Sequence, residues 1–72
     1  MYYTMAEKIR IALHRRNMTL ADLAKALDTS RQNVSNKLSR DNFTEKELLE
    51  IASALNCTYK ATFIMNDTGD EI

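Results

Sequence analysis

Arg31, Gln32, Asn33, Ser35 and Asn36 fall in one short stretch of the 72-residue chain, with Val34 the only apolar residue among them. The types matter as much as the spacing. A guanidinium offers a rigid fork of donors, a carboxamide sets one acceptor beside two donors, and a hydroxyl can do either. None of these groups trades protons near neutral pH, so their chemistry is recognition by hydrogen bonding. Elsewhere no nucleophile, base and oxyanion donor assemble, and the carboxylates have no histidine beside them. His14 lies in a polar stretch without ligand partners and reads as surface. Cys57 is the single cysteine, which rules out an internal disulfide or a Cys-rich metal site. It reads as a small buried hydrophobe. No enzyme, metal, cofactor or small-molecule ligand is indicated.

The elements that must position this cluster are helical. There is no proline and one glycine, Gly69, so almost the whole chain is free to be helix. Met5, Ile9, Ala12 and Leu13 recur at helical spacing and predict a first helix over about 4–16. Asn17 can end it in the left-handed conformation, and Arg15 and Arg16 suit the dipole at its C-terminal end. Thr19 and Asp22 form an approximate capping box for a second helix, with Met18 and Leu23 as staple and Leu20, Leu23, Ala24 and Leu27 as buried stripe. Asp28 stops that helix, being a residue that accepts positive φ. Thr29 and Ser30 are both good N-caps, so a third helix begins near Arg31. Only Val34 and Leu38 are apolar within it, so most of it faces water or a partner. Thr44 with Glu47 caps a fourth helix, Phe43 with Leu48 staples it, and Leu48, Ile51, Ala52 and Leu55 give its inner face. The methionines read as core filler.

After Asn56 the period changes. Tyr59, Ala61, Phe63 and Met65 alternate with polar residues, predicting a strand at about 58–65, a turn at Asn66–Gly69 and a short return at 70–72. Residues 1–72 read as one domain, mainly α, with a helical core at about 4–56 and a C-terminal strand or hairpin at about 58–72. Ile64, opposite in phase to Phe63, suggests that both faces of the strand are covered. A homodimer through this element, with Tyr2 and Tyr3 packing nearby, is expected. The opening residues hold no signal-peptide core and no run approaches a membrane span, so a cytoplasmic address is expected.

The net charge is zero, but it is unevenly laid out. Residues 8–40 carry eight Lys/Arg against Asp22 and Asp28, a balance of +6. Residues 41–72 carry Lys46 and Lys60 against seven acids, a balance of −5, and Glu7 completes the sum. That basic half can meet a polyanion while the acidic half limits indiscriminate binding.

Two short helices joined by a three-residue turn hold the second at a steep angle, so that its first residues project. An α-helix fits the major groove of B-DNA, where each base pair shows its own donor and acceptor pattern. Arg31 can engage guanine O6 and N7 together, and Gln32 or Asn36 adenine N6 and N7. Each pairing is worth roughly 1–3 kcal/mol of discrimination. Gln32 and Asn36 lie four apart on one face, with Ser35 beside them.

The segment TLADLAKALDTSRQNVSNKL resembles the helix-turn-helix of the phage repressor and Cro family, also called XRE-type. The likeness rests on Ala24 at the close helix contact, on Leu23, Leu27 and Val34, and on the Thr/Ser opening of the third helix. FTEKELLEIASAL resembles the family's next helix, so the resemblance spans about 5–56. Three positions depart from the pattern: Asp28 stands at the usual turn glycine, Leu20 at a frequent phosphate-clasping glutamine, and Leu13 at a frequent arginine. The resemblance implies a small bacterial or phage regulator, a repressor, that binds double-stranded DNA as a homodimer. It maps base reading to Arg31, Gln32, Asn36 and Ser35, and phosphate contacts to Thr19, Asn33, Lys37 and Arg40. Two other readings stay open: a protein-interaction module such as an antitoxin, supported by the neutral charge and acidic C-terminal half, and a purely structural bundle.

Overall fold

A computed structural model describes residues 2–72. Four helices follow one another among them: α1 Met5–Arg15, α2 Leu20–Ala26, α3 Arg31–Arg40 and α4 Glu45–Ala54. Their starts are written in short polar signals. Thr19 with Asp22 and Thr44 with Glu47 each form complete reciprocal capping boxes. A third box, Thr4 with Glu7, opens α1 with the same spacing. Each satisfies two backbone donors that a helix start leaves free.

The helix ends repeat one device. Asn17, Asp28, Asp41 and Asn56 all take left-handed φ, between 50 and 56°. Behind three of them the chain closes with paired backbone bonds of the Schellman type: Met18 N to Leu13 O (3.0 Å), Thr29 N to Ala24 O (2.9 Å) and Cys57 N to Ala52 O (2.8 Å). Asp41 closes α3 and also reaches across the fold, its Oδ1 accepting from the Ala6 amide at 2.8 Å.

The core draws on all four helices: Ala6, Ile9 and Leu13; Leu23 and Ala24; Val34 and Leu38; Leu48, Ile51 and Leu55. Leu23 sits at its centre, fully shielded from solvent. Met5, Met18, Leu20, Leu27, Phe43 and Tyr59 pack against the rim. Burying an aliphatic side chain of this kind contributes about 1.5–3 kcal/mol, so these residues hold the helices together.

Arg16 closes α1 through its backbone N–H, but its side chain does not cap that helix. Its Nε donates to Leu55 O and its Nη2 to Asn56 O, both at 2.9 Å, so it satisfies carbonyls at the end of α4 instead. Cys57 is exposed rather than buried, because it follows the left-handed corner at Asn56 where the chain leaves the core.

The expected C-terminal strand does not form among the described residues. Ile64 and Glu71 make one isolated antiparallel bridge, flanked by backbone bonds Ile72 N to Phe63 O (2.8 Å) and Met65 N to Asp70 O (2.8 Å). The turn at 66–68 does form, and Gly69 relaxes it at φ +80°. Within the chain, residues 58–62 meet no neighbouring strand, and most of the alternating side chains cover no surface. Phe63 is 80% exposed, Ile64 60% and Ile72 77%. Met65 is exposed too, unlike core filler, and Tyr2 and Tyr3 are exposed rather than packed. Only Tyr59 of the alternating set rests on the helical core. The segment therefore stands off the body as an arm, and the molecule measures 44 × 23 × 23 Å.

Candidate nucleic-acid interface

The start of α3 is fixed by its two predicted caps acting together. Ser30 Oγ accepts from Asn33 N at 3.1 Å, and Thr29 Oγ1 accepts from Asn33 Nδ2 at 2.8 Å. Val34 and Leu38 then turn inward. With that stripe buried, Gln32, Asn33, Asn36, Ser39 and Arg40 lie exposed on the other side, while Ser35 and Lys37 are half-buried on the flanks. Arg31 is exposed at the first turn, bordering a shallow depression shared with Lys25 and Asp28 of the α2 end.

Gln32 and Asn36 are joined. Gln32 Nε2 donates to Asn36 Oδ1 at 2.9 Å, one helical turn apart. The bond uses one of two protons on the Gln32 amide and leaves a second N–H and the carbonyl oxygen. That remaining pair is the one a carboxamide presents to the N7 and N6 edge of adenine.

The residues mapped to phosphate are spread over different surroundings. Thr19 is exposed at the start of α2, its Oγ1 accepting from Asp22 N at 3.1 Å while its hydroxyl proton stays free to donate. Arg40 is exposed in the last turn of α3. Asn33 has turned its amide onto Thr29. Lys37 forms an ion pair with Glu47 of α4, the one ion pair among the described residues. Glu47 is held far below its ordinary value, down to about 2, first by Lys37 and then by the Thr44 backbone N–H.

Two participants escaped the reading of residues alone. Ser39 extends the outward face, three positions after Asn36 and seven after Gln32, and the same periodicity could have found it. The pairing of Glu47 with Lys37 joins different helices and left no local signal. No group of three or more His, Cys, Asp or Glu among the described residues is placed to hold a metal.

What the arrangement offers is a short rod with a polar outer face, packed against α2 and tied to α4 through Lys37 and Glu47. Comparison with known proteins agrees with this geometry. No curated protein and no solved structure matches the chain. A model of the Cro/C1-type helix-turn-helix DNA-binding domain matches residues 8–60, from within α1 to beyond the end of α4. On that match and this fold, the chain belongs to the Cro/C1-type helix-turn-helix DNA-binding family.

Proposed function

We propose that the protein is a transcriptional repressor of bacterial or phage genes, working in the cytoplasm by laying the outer face of α3 in the major groove of double-stranded DNA. Arg31, Gln32, Ser35 and Asn36 read base edges. Thr19 and Arg40 clasp phosphates, with Asn33 at the edge of that contact, while Lys37 is engaged by Glu47 and takes no part in it. Phosphate contacts orient the protein and carry salt-dependent affinity, while base contacts choose the sequence. The observation that supports this most is the Gln32–Asn36 bond at 2.9 Å, which steadies two carboxamides one turn apart on the exposed face of α3.

The repressor acts as a homodimer through the arm. Phe63, Ile64 and Ile72 together expose an apolar surface that a second copy would cover. Two α3 helices set about 34 Å apart then meet two half-sites on one face of the duplex. The same apolar arm, with Asp67, Asp70 and Glu71 beside it, favours a second reading in which it grips another protein, as an antitoxin does.

Selection of duplexes from a random pool at stated salt tests both parts. A two-fold-symmetric motif is expected. Gln32→Ala and Arg31→Ala should change the preferred base at single positions by roughly 1–3 kcal/mol each. A pool with no enriched duplex would refute the DNA reading in favour of the protein-binding one, and an asymmetric motif would refute the dimer.

A further inference from the structure

We propose that Glu47 sets the sequence-independent share of this chain's affinity for DNA by holding Lys37 away from the phosphate backbone. The inference rests on the DNA reading above.

Lys37 follows Asn36 on the helix that faces DNA and precedes Arg40 by three positions. Its partner comes from a different helix, since α3 has no acid of its own in its first turn or anywhere along it. Glu47 is not a loose surface carboxylate. Oε1 accepts from Thr44 N at 3.0 Å as half of a capping box, and Oε2 takes Lys37. Both oxygens are thereby placed by α4, and the pair is only partly exposed, with 39% and 26% of the two side chains open to solvent. An ion pair whose acid is already immobilised loses less side-chain freedom than a typical surface pair.

A carboxylate here serves the cap and the α4 dipole and also reaches Lys37. A capping box works with glutamine as well as glutamate, because either reaches back to the N-cap amide. What glutamine lacks is the charge that engages Lys37. The glutamate therefore does a second task, which is to neutralise a cation at the edge of the DNA-facing helix. A lysine released there would neutralise a phosphate on any sequence and add to binding without adding discrimination.

The experiment uses the full chain and a fluorescent mixed-sequence duplex, followed by anisotropy across a salt series. Glu47→Gln keeps the cap and frees Lys37. It should bind this duplex roughly 2- to 5-fold more tightly at moderate salt, with the log–log salt slope steeper by about 0.9, one extra phosphate neutralised. Lys37→Gln alone should leave the salt slope unchanged, and Lys37→Gln added to Glu47→Gln should restore wild-type behaviour. Glu50→Gln, which removes a neighbouring unpaired acid, measures the effect of net charge alone and should fall well short of Glu47→Gln. The proposal is overturned if Glu47→Gln merely equals Glu50→Gln, or if the double variant keeps the gain. It is also overturned if Lys37→Gln by itself flattens the salt slope. If folded wild-type protein binds no duplex at any salt, the DNA reading itself fails, and that outcome is distinct from binding that Glu47 does not govern.

Discussion

Replacing Arg16 separates two ways in which a cation can close a helix. The guanidinium lies after α1 but donates to Leu55 O and Asn56 O at the end of α4, both at 2.9 Å. Hydrogen bonds from a charged donor contribute about 1.5–3 kcal/mol each when shielded. Arg16 is exposed, so the pair together should be worth about 1.5–2 kcal/mol after screening by solvent. A domain of this size has roughly 4–11 kcal/mol of total stability. Arg16→Ala should therefore lower Tm by about 6–16 °C, taking about 4–8 °C per kcal/mol. Arg16→Lys is the deciding variant. Lysine keeps a positive charge near the end of α1, where a dipole effect would be worth about 0.3–1 kcal/mol. It cannot span two carbonyls with a planar fork. The expected order in thermal and urea unfolding, followed by helical circular dichroism, is wild type well above Arg16→Lys, with Arg16→Lys close to Arg16→Ala. If Arg16→Lys matches wild type, the charge matters and the cross-helix bonds do not.

Two further predictions concern corners and carboxylates. Asp28 holds φ 56° with an exposed side chain, so Asp28→Gly should gain roughly 0.5 kcal/mol and Asp28→Ala lose about 1 kcal/mol, read as opposite shifts of the urea midpoint. Glu47, lowered to about 2, and Glu7 and Asp22, lowered by the backbone N–H groups of Thr4 and Thr19, are all stabilised as anions in the folded chain. Their contribution is complete above the unfolded values near 4–4.5 and is lost as pH falls toward 2. The urea midpoint should drop across that window, and less steeply in Glu47→Gln; a flat profile would show that the caps and the ion pair add nothing.

Much of the fold was legible because its signals are local. Thr19 with Asp22, Thr44 with Glu47, and the lone Val34–Leu38 stripe each place a helix using residues within four positions of one another. The Thr4–Glu7 box carried the same signal and refines the first helix to Met5–Arg15. What local patterns missed joins distant parts of the chain. Arg16 bonds to the end of α4 and Lys37 pairs with Glu47, and neither partner could be chosen from spacing. The alternation from Tyr59 to Met65 misled for a related reason. A period of two describes side chains that could share a sheet face, whereas a strand needs a neighbouring backbone, and here the pairing is limited to the single bridge between Ile64 and Glu71. For the candidate site, residue types pointed to Arg31, Gln32 and Asn36, while the bond tying Gln32 to Asn36 emerged only with coordinates.

The corner at Asp41 shows why a strained residue can be preferable to an easy one. Glycine would relax the left-handed backbone there, yet it has no carboxylate to receive the Ala6 amide at 2.8 Å. Because one side chain both finishes α3 and tethers the opening turn of α1, unravelling at either place removes support from the other. One side chain thus couples two segments 35 positions apart along the chain, so that loosening at either end costs the other a partner.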